Sequence, residues 1–234
     1  RRRDHRTLAR EHPPAGRAYP ARGTDRQAAH IDQALRACAG ADVVVLAGDA
    51  CPAPGWLERL AGCAARDPGI GTATPWCNAG EVAAWPRIAE VSPLPDAPAR
   101  LARACASLAG ETANLPAAVS HAVFLRGDAL VRAGGLDGAS FRSWQAALVD
   151  LSLRFAGMGW RNVLCAEAFV ARPREGMPAD GDMDALAVRW PAWHARLATF
   201  LMDDPLHALR GRLATAVARL QDAPPQADLF ASVP

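Results

Sequence analysis

Apolar positions recur along this chain at two spacings, and their order predicts helices layered on a sheet. Residues 24–38 ("TDRQAAHIDQALRAC") set Ala28, Ile31, Leu35 and Cys38 at helical spacing behind Thr24 or Asp25 as a cap, which predicts a helix. Residues 42–47 ("DVVVLA") form a short β-branched run, the pattern of a strand buried on both faces as in a parallel sheet, and 43–47 is expected to be a central strand. A helix from 54 to about 66 follows, with Trp56, Leu57, Leu60 and Cys63 along one side, and then a strand at 69–75 ("GIGTATP"). Strand, helix and strand at this spacing make a βαβ unit.

From 77 to 98 the chain is rich in Gly, Pro and Ala with Trp85 embedded, which reads as a long surface segment of the functional kind. A short helix near 97–109 precedes a strand at 117–126 ("AAVSHAVFLR"), and Asp128 caps a helical turn that stops at Gly134 and Gly135. Residues 144–158 carry Trp144, Leu148, Leu151, Phe155 and Met158 on one helical face, and "RNVLCAEAFVA" returns to the sheet. Beyond Gly176 come two helical stripes: Leu186, Trp190, Trp193, Leu197 and Phe200, then Leu206, Leu209, Leu213 and Leu220 after Pro205. The expected organisation is an α/β part over 1–176, a helical extension over 177–222 and a tail or linker over 223–234.

Composition narrows the class without naming a chemistry. A chain of 234 residues, half of them apolar, can bury one sizeable core. The formal net charge of +2 is close to balance, and apart from the N-terminal "RRRDHR", which reads as a solvated tail or helix face, the basic residues are dispersed. Nothing therefore calls for nucleic acid or an anionic membrane as partner. The six cysteines lack CxxC spacing and mostly sit in apolar segments, the pattern of a reduced, cytosolic chain. No apolar run reaches the ~20 residues of a membrane span, and no signal peptide is visible.

The order of motifs is specific. "DVVVLAGD" with "PGWLERL", then "DPGIGTATPWCNAG", "LPAAVSHAVFLRGDALVRAGGLD", "DLSLRFAGMGWRNVLCAEAFV" and "WPAWHARLATFLMDDPLHALRGRL" follow one another over roughly residues 20–220. In this order they resemble family 2 glycosyltransferases. The resemblance implies a GT-A type nucleotide-sugar domain with a mainly parallel sheet, here without the family's first strands, plus C-terminal helices. It implies transfer of a sugar from a nucleotide sugar to a glycan or other hydroxyl acceptor, by a protein that is cytoplasmic or peripheral to the inner face of a membrane. Residues 1–23 would then lead into the family's third strand, and an upstream or neighbouring transferase domain would complete the donor site.

Such a transfer needs positive charge for the leaving diphosphate, a base for the acceptor hydroxyl and a pocket that orients both. In the family a divalent cation, magnesium or manganese, is held by an acid at the strand end and a second acid two residues on. Asp49 matches the first, as metal and donor-phosphate residue, and Cys51 stands at the second, where a hard cation finds a poor ligand. Asp49 also reads as a carboxylate satisfying turn amides before Pro52. The His that often completes the family's metal site corresponds to Arg172, a residue able to pair with phosphate oxygens directly, with a plain surface arginine as the alternative. The family's acidic base pair corresponds to Ala147 and Leu148, neither of which accepts a proton. Asp150 matches a further family carboxylate and is the remaining catalytic candidate, with a helix-surface pair to Arg154 as the alternative. Asn78, His121 and Trp144 are the acceptor or pocket candidates, His121 being open also to a role as a hydrogen-bonded core histidine. Two readings stand: a transferase working through unusual residues, and a non-catalytic glycan- or nucleotide-sugar-binding or scaffolding domain of a larger polypeptide.

Overall fold

The computed structural model describes residues 26–38, 40–79 and 81–222. The basic cluster at 1–6, the caps Thr24 and Asp25 and the tail at 223–234 lie outside them. In chain order the elements are α1 (Gln27–Ala37), β1 (Val43–Leu46), β2 (Cys51–Pro52), α2 (Trp56–Ala65), β3 (Ile70–Trp76), α3 (Pro98–Ala106) and β4 (Thr112–Asn114). There follow β5 (Ala122–Leu125), α4 (Gly127–Ala133), α5 (Trp144–Gly157), β6 (Arg161–Ala171), α6 (Asp182–Arg189), α7 (Trp193–Asp203) and α8 (His207–Asp222).

The fold is α/β with a mixed sheet. Strand order is β1-β5-β3-β6-β2, with β4 also paired to β6. Only β3 and β6 run parallel; β1 with β5, β5 with β3, and β6 with both β2 and β4 are antiparallel. The expectation of a mainly parallel sheet is thus corrected, and the 43–46 strand stands at an edge of the described sheet rather than at its centre. Its continuous apolar run has a local cause. Val43 and Val45 touch the cluster beneath α5, while Val44 touches the cluster beneath α2, so both faces are apolar without a second strand neighbour.

Inner strands follow the two-residue period that a doubly covered sheet demands. Val123 and Leu125 of β5 pack with α5, and Phe124 between them packs with α2. On β6, Val163 and Cys165 face α2, while Leu164 and Ala166 join Leu101 of α3, Leu206 just ahead of α8 and Leu213 of α8. The C-terminal helices therefore share the core of the α/β part. Among the described residues they number three, because the chain breaks at Pro191 as well as at Pro205.

Gly127 opens α4 where backbone meets backbone: a Cβ there would fall 1.9 Å from the Gly40 carbonyl oxygen. No larger residue permits that approach between α4 and the turn leading into β1. The 77–98 segment is the surface loop expected only over 86–98, where every residue is half-buried or exposed; its first part is packed inside. Trp76, Cys77, Asn78, Ala79, Val82, Ala83 and Ala84 are all buried, since small residues let the backbone press against the sheet.

Candidate functional site

The site is built where β1 and β6 end. The Ala47 N–H donates to the His121 carbonyl at 2.9 Å, prolonging the β1–β5 ladder, and the Ala50 N–H closes a turn onto the Ala47 carbonyl at 3.0 Å. Asp49 projects from this turn. Its Oδ1 accepts from Arg172 Nε at 2.7 Å, and its Oδ2 lies 3.4 Å from Arg174 Nε, an ion-pair distance without hydrogen-bond geometry. The Arg172 pair is mostly buried, whereas the Arg174 side chain is 79 % exposed, so only the first is shielded from water.

This donor set does not fit a magnesium or manganese ion. One Asp49 oxygen is committed to a guanidinium, and Cys51 is an exposed residue of β2 opposite Ala171. Among the described residues no three His, Cys, Asp or Glu side chains gather as a metal set. Two cations already attend Asp49, and a third would meet repulsion from Arg172.

The pocket candidates are drawn into the same region, each with a structural partner. Asn78 Nδ2 donates to the carbonyls of Ser92 at 2.8 Å and Arg172 at 3.0 Å, and its Oδ1 accepts from the Arg172 N–H at 2.8 Å. Asn78 thereby fixes the backbone of Arg172 and aims its side chain. His121, 2 % exposed, contacts the Pro75 carbonyl through Nε2 at 3.1 Å, and its buried Nδ1 has no partner among the described residues. Since a carbonyl only accepts, Nε2 carries the proton and Nδ1 a bare lone pair. Burial, with the nearby positive Arg172 adding to it, pushes the imidazole pKa down to about 3. Trp144 opens α5 and donates from Nε1 to the Ser120 carbonyl at 3.1 Å.

Asp150 lies in a different network. It is fully buried, accepting from Arg154 Nε at 2.9 Å, Arg189 Nη1 at 3.2 Å and Trp190 Nε1 at 3.0 Å. That saturated carboxylate ties α5 to α6; the i,i+4 pair with Arg154 exists, but inside the protein rather than on a helix surface. Ala147 and Leu148, at 0 % and 1 % exposure, are core residues of α5.

Four residues that sequence reasoning passed over complete the cluster. Glu81 has φ of 56°, unusual for a residue with a side chain, and its N–H donates to Glu175 Oε1 at 2.6 Å. Ser120 Oγ donates to Glu81 Oε1 at 3.3 Å. Burial first, and then the charge of Glu175, raise the Glu81 carboxyl pKa to about 7, against smaller opposing effects of Ser120 and Arg172. Gly176 runs so close that a Cβ would fall 2.1 Å from Gln145 Nε2 and 2.9 Å from Arg172 Nη1, and Gln145 Oε1 is a buried acceptor without a partner among the described residues. One sequence signal pointed here: Glu81 is the lone charge in "CNAGEVAAW".

No protein-family model matches the chain, and no curated protein matches it. Among the described residues no helix is long and apolar enough to cross a membrane.

Proposed function

We propose that this chain is a GT-A type domain of the family 2 glycosyltransferase kind, which binds a nucleotide sugar at the turn after β1. It passes the sugar to a hydroxyl of a glycan or similar acceptor, with Arg172 taking the place of the divalent cation. The observation that carries this reading is the 2.7 Å pair between Asp49 and Arg172 at the ends of β1 and β6. A departing diphosphate needs preorganised positive charge. A guanidinium fork matches phosphate oxygens in bidentate fashion, and the Asn78 hydrogen bonds hold this one in place before any ligand arrives. Asp49 then serves as the anion that keeps Arg172 oriented until the diphosphate replaces it.

Calorimetry with UDP and GDP, in EDTA and again with manganese, tests this on the full chain. Binding is expected in EDTA, weakened at least tenfold, about 1.4 kcal/mol, by Arg172→Ala. Absence of binding to either diphosphate, or binding that needs manganese, overturns it.

A second reading, a binding or scaffolding domain without turnover, is favoured by one observation. Leu148 is packed into the core where the family carries its base. The two readings part on whether bound donor is consumed.

A further inference from the structure

We infer that Glu81 is the proton acceptor for the acceptor hydroxyl, a catalytic role supplied from the 77–98 segment instead of from α5. The inference rests on the transferase reading above and deepens it. It begins with elimination among the groups gathered around Arg172. Asp49 lies 2.7 Å from Arg172, the guanidinium that receives the diphosphate, and so stands on the leaving-group side of the transfer and not on the side of the incoming hydroxyl; Glu175 is committed to the Glu81 N–H at 2.6 Å. Asp150 is saturated in its own network. His121 offers a bare Nδ1, but a group protonated only near pH 3 is a feeble base at neutral pH.

Glu81 differs from all of these. Ser120 is the only side chain among the described residues that donates to it, at 3.3 Å, so its carboxylate keeps accepting capacity. The residue is half-buried, shielded yet reachable from solvent. Its backbone is held at a positive φ by the Glu175 hydrogen bond, local strain of the kind that surrounding structure maintains where position matters. His121 Nδ1 and Gln145 Oε1, buried acceptors without a partner among the described residues, make the surroundings of Arg172 polar. The groups that face Glu81 are Ser120, Glu175, Arg172 and the buried Cys77 thiol, which stays protonated because burial raises its pKa to about 11. Their balance, dominated by burial, sets the carboxyl near pH 7, where a base both holds its charge and drives proton transfer.

The step balances as follows. The acceptor hydroxyl oxygen attacks the anomeric carbon while its proton moves to a Glu81 carboxylate oxygen. The bond from that carbon to the diphosphate oxygen breaks, and its electron pair leaves on the diphosphate, facing Arg172. Glu81 then returns the proton to water.

The test uses the full chain with UDP-glucose, UDP-N-acetylglucosamine and GDP-mannose, water or a soluble oligosaccharide acting as acceptor. UDP and GDP binding is measured in parallel. Glu81→Gln is expected to lower turnover about 100- to 10,000-fold while diphosphate affinity changes less than threefold. The wild-type rate should rise with pH through a midpoint near 7, and Glu81→Asp should retain part of the activity and the same acid limb. Turnover in Glu81→Gln within threefold of wild type overturns the inference and leaves the transferase reading standing. Diphosphate binding without turnover of any donor overturns the inference in favour of the binding-domain reading. Neither binding nor turnover overturns both.

Discussion

His121 and Glu81 share one cluster with opposite displacements, and their consequences for stability cancel over a window of pH. Between about pH 4.5 and 6.5 the folded protein keeps His121 neutral and Glu81 protonated, whereas the unfolded chain charges both. Folded and unfolded states then hold the same number of protons on this pair, so the pair contributes no slope. Substitution of either residue exposes the other. In Glu81→Gln only the depressed His121 remains, and stability should fall by about 1.4 kcal/mol per pH unit as pH drops below 6.5. In His121→Gln only the raised Glu81 remains, and stability should fall at a similar rate as pH climbs from about 4.5 to 7. Urea titrations of the three proteins at half-unit steps read both slopes; parallel curves would mean that the two groups are not shifted.

At the scale of elements, α8 holds the segment that carries Glu81. Arg210, 5 % exposed, donates from Nε to the Ala84 carbonyl at 2.9 Å, pairs with Asp204 and lies 5.8 Å from the Trp76 ring centre. Arg210→Ala strands those acceptors and is expected to cost about 2–4 kcal/mol. Hydrogen exchange should quicken in 77–93 before it does in β3 or β6; uniform exchange would show that the helix does not brace the segment. Helices α2 and α5 were legible because each repeats its period over enough residues, and strands β3 and β6 because each is a run of small and apolar residues directly after a helix. The standing of β1 in the sheet was not, because a β-branched run reports what touches its faces and says nothing of what pairs with its edges. The two-residue β2 and three-residue β4 are too short to show a period at all.

Across the whole molecule, the boundary expected near residue 176 divides nothing in the core. Leu206, Leu209 and Leu213 pack with Trp76, Leu164 and Phe169, so the C-terminal helices and the sheet should melt as one unit. Leu213→Ala is expected to cost about 2–5 kcal/mol and to move the tryptophan-fluorescence and far-ultraviolet dichroism midpoints together. Separate midpoints would restore two units. The candidate site shows the same dependence on the whole. Asp49 and Arg172 could be picked out by their places in motifs, but Glu81, Ser120, Gln145 and Glu175 come from four segments that only the folded sheet assembles.

Asp49 and Arg172 are 123 positions apart, a separation that matters most while the chain is being made. Translation at about 5–20 residues per second leaves the Asp49 turn on the ribosome without its guanidinium for roughly 6–25 s. Over that interval β1, β3 and β5 have emerged, but β6, which pairs with three other strands, has not. The nascent chain thus passes through a stage in which the edge of β3 that will receive β6 is unpaired and open to other strands. A chaperone that shields such an edge would act before residue 161, and slowing translation just upstream of β6 would lengthen the exposure.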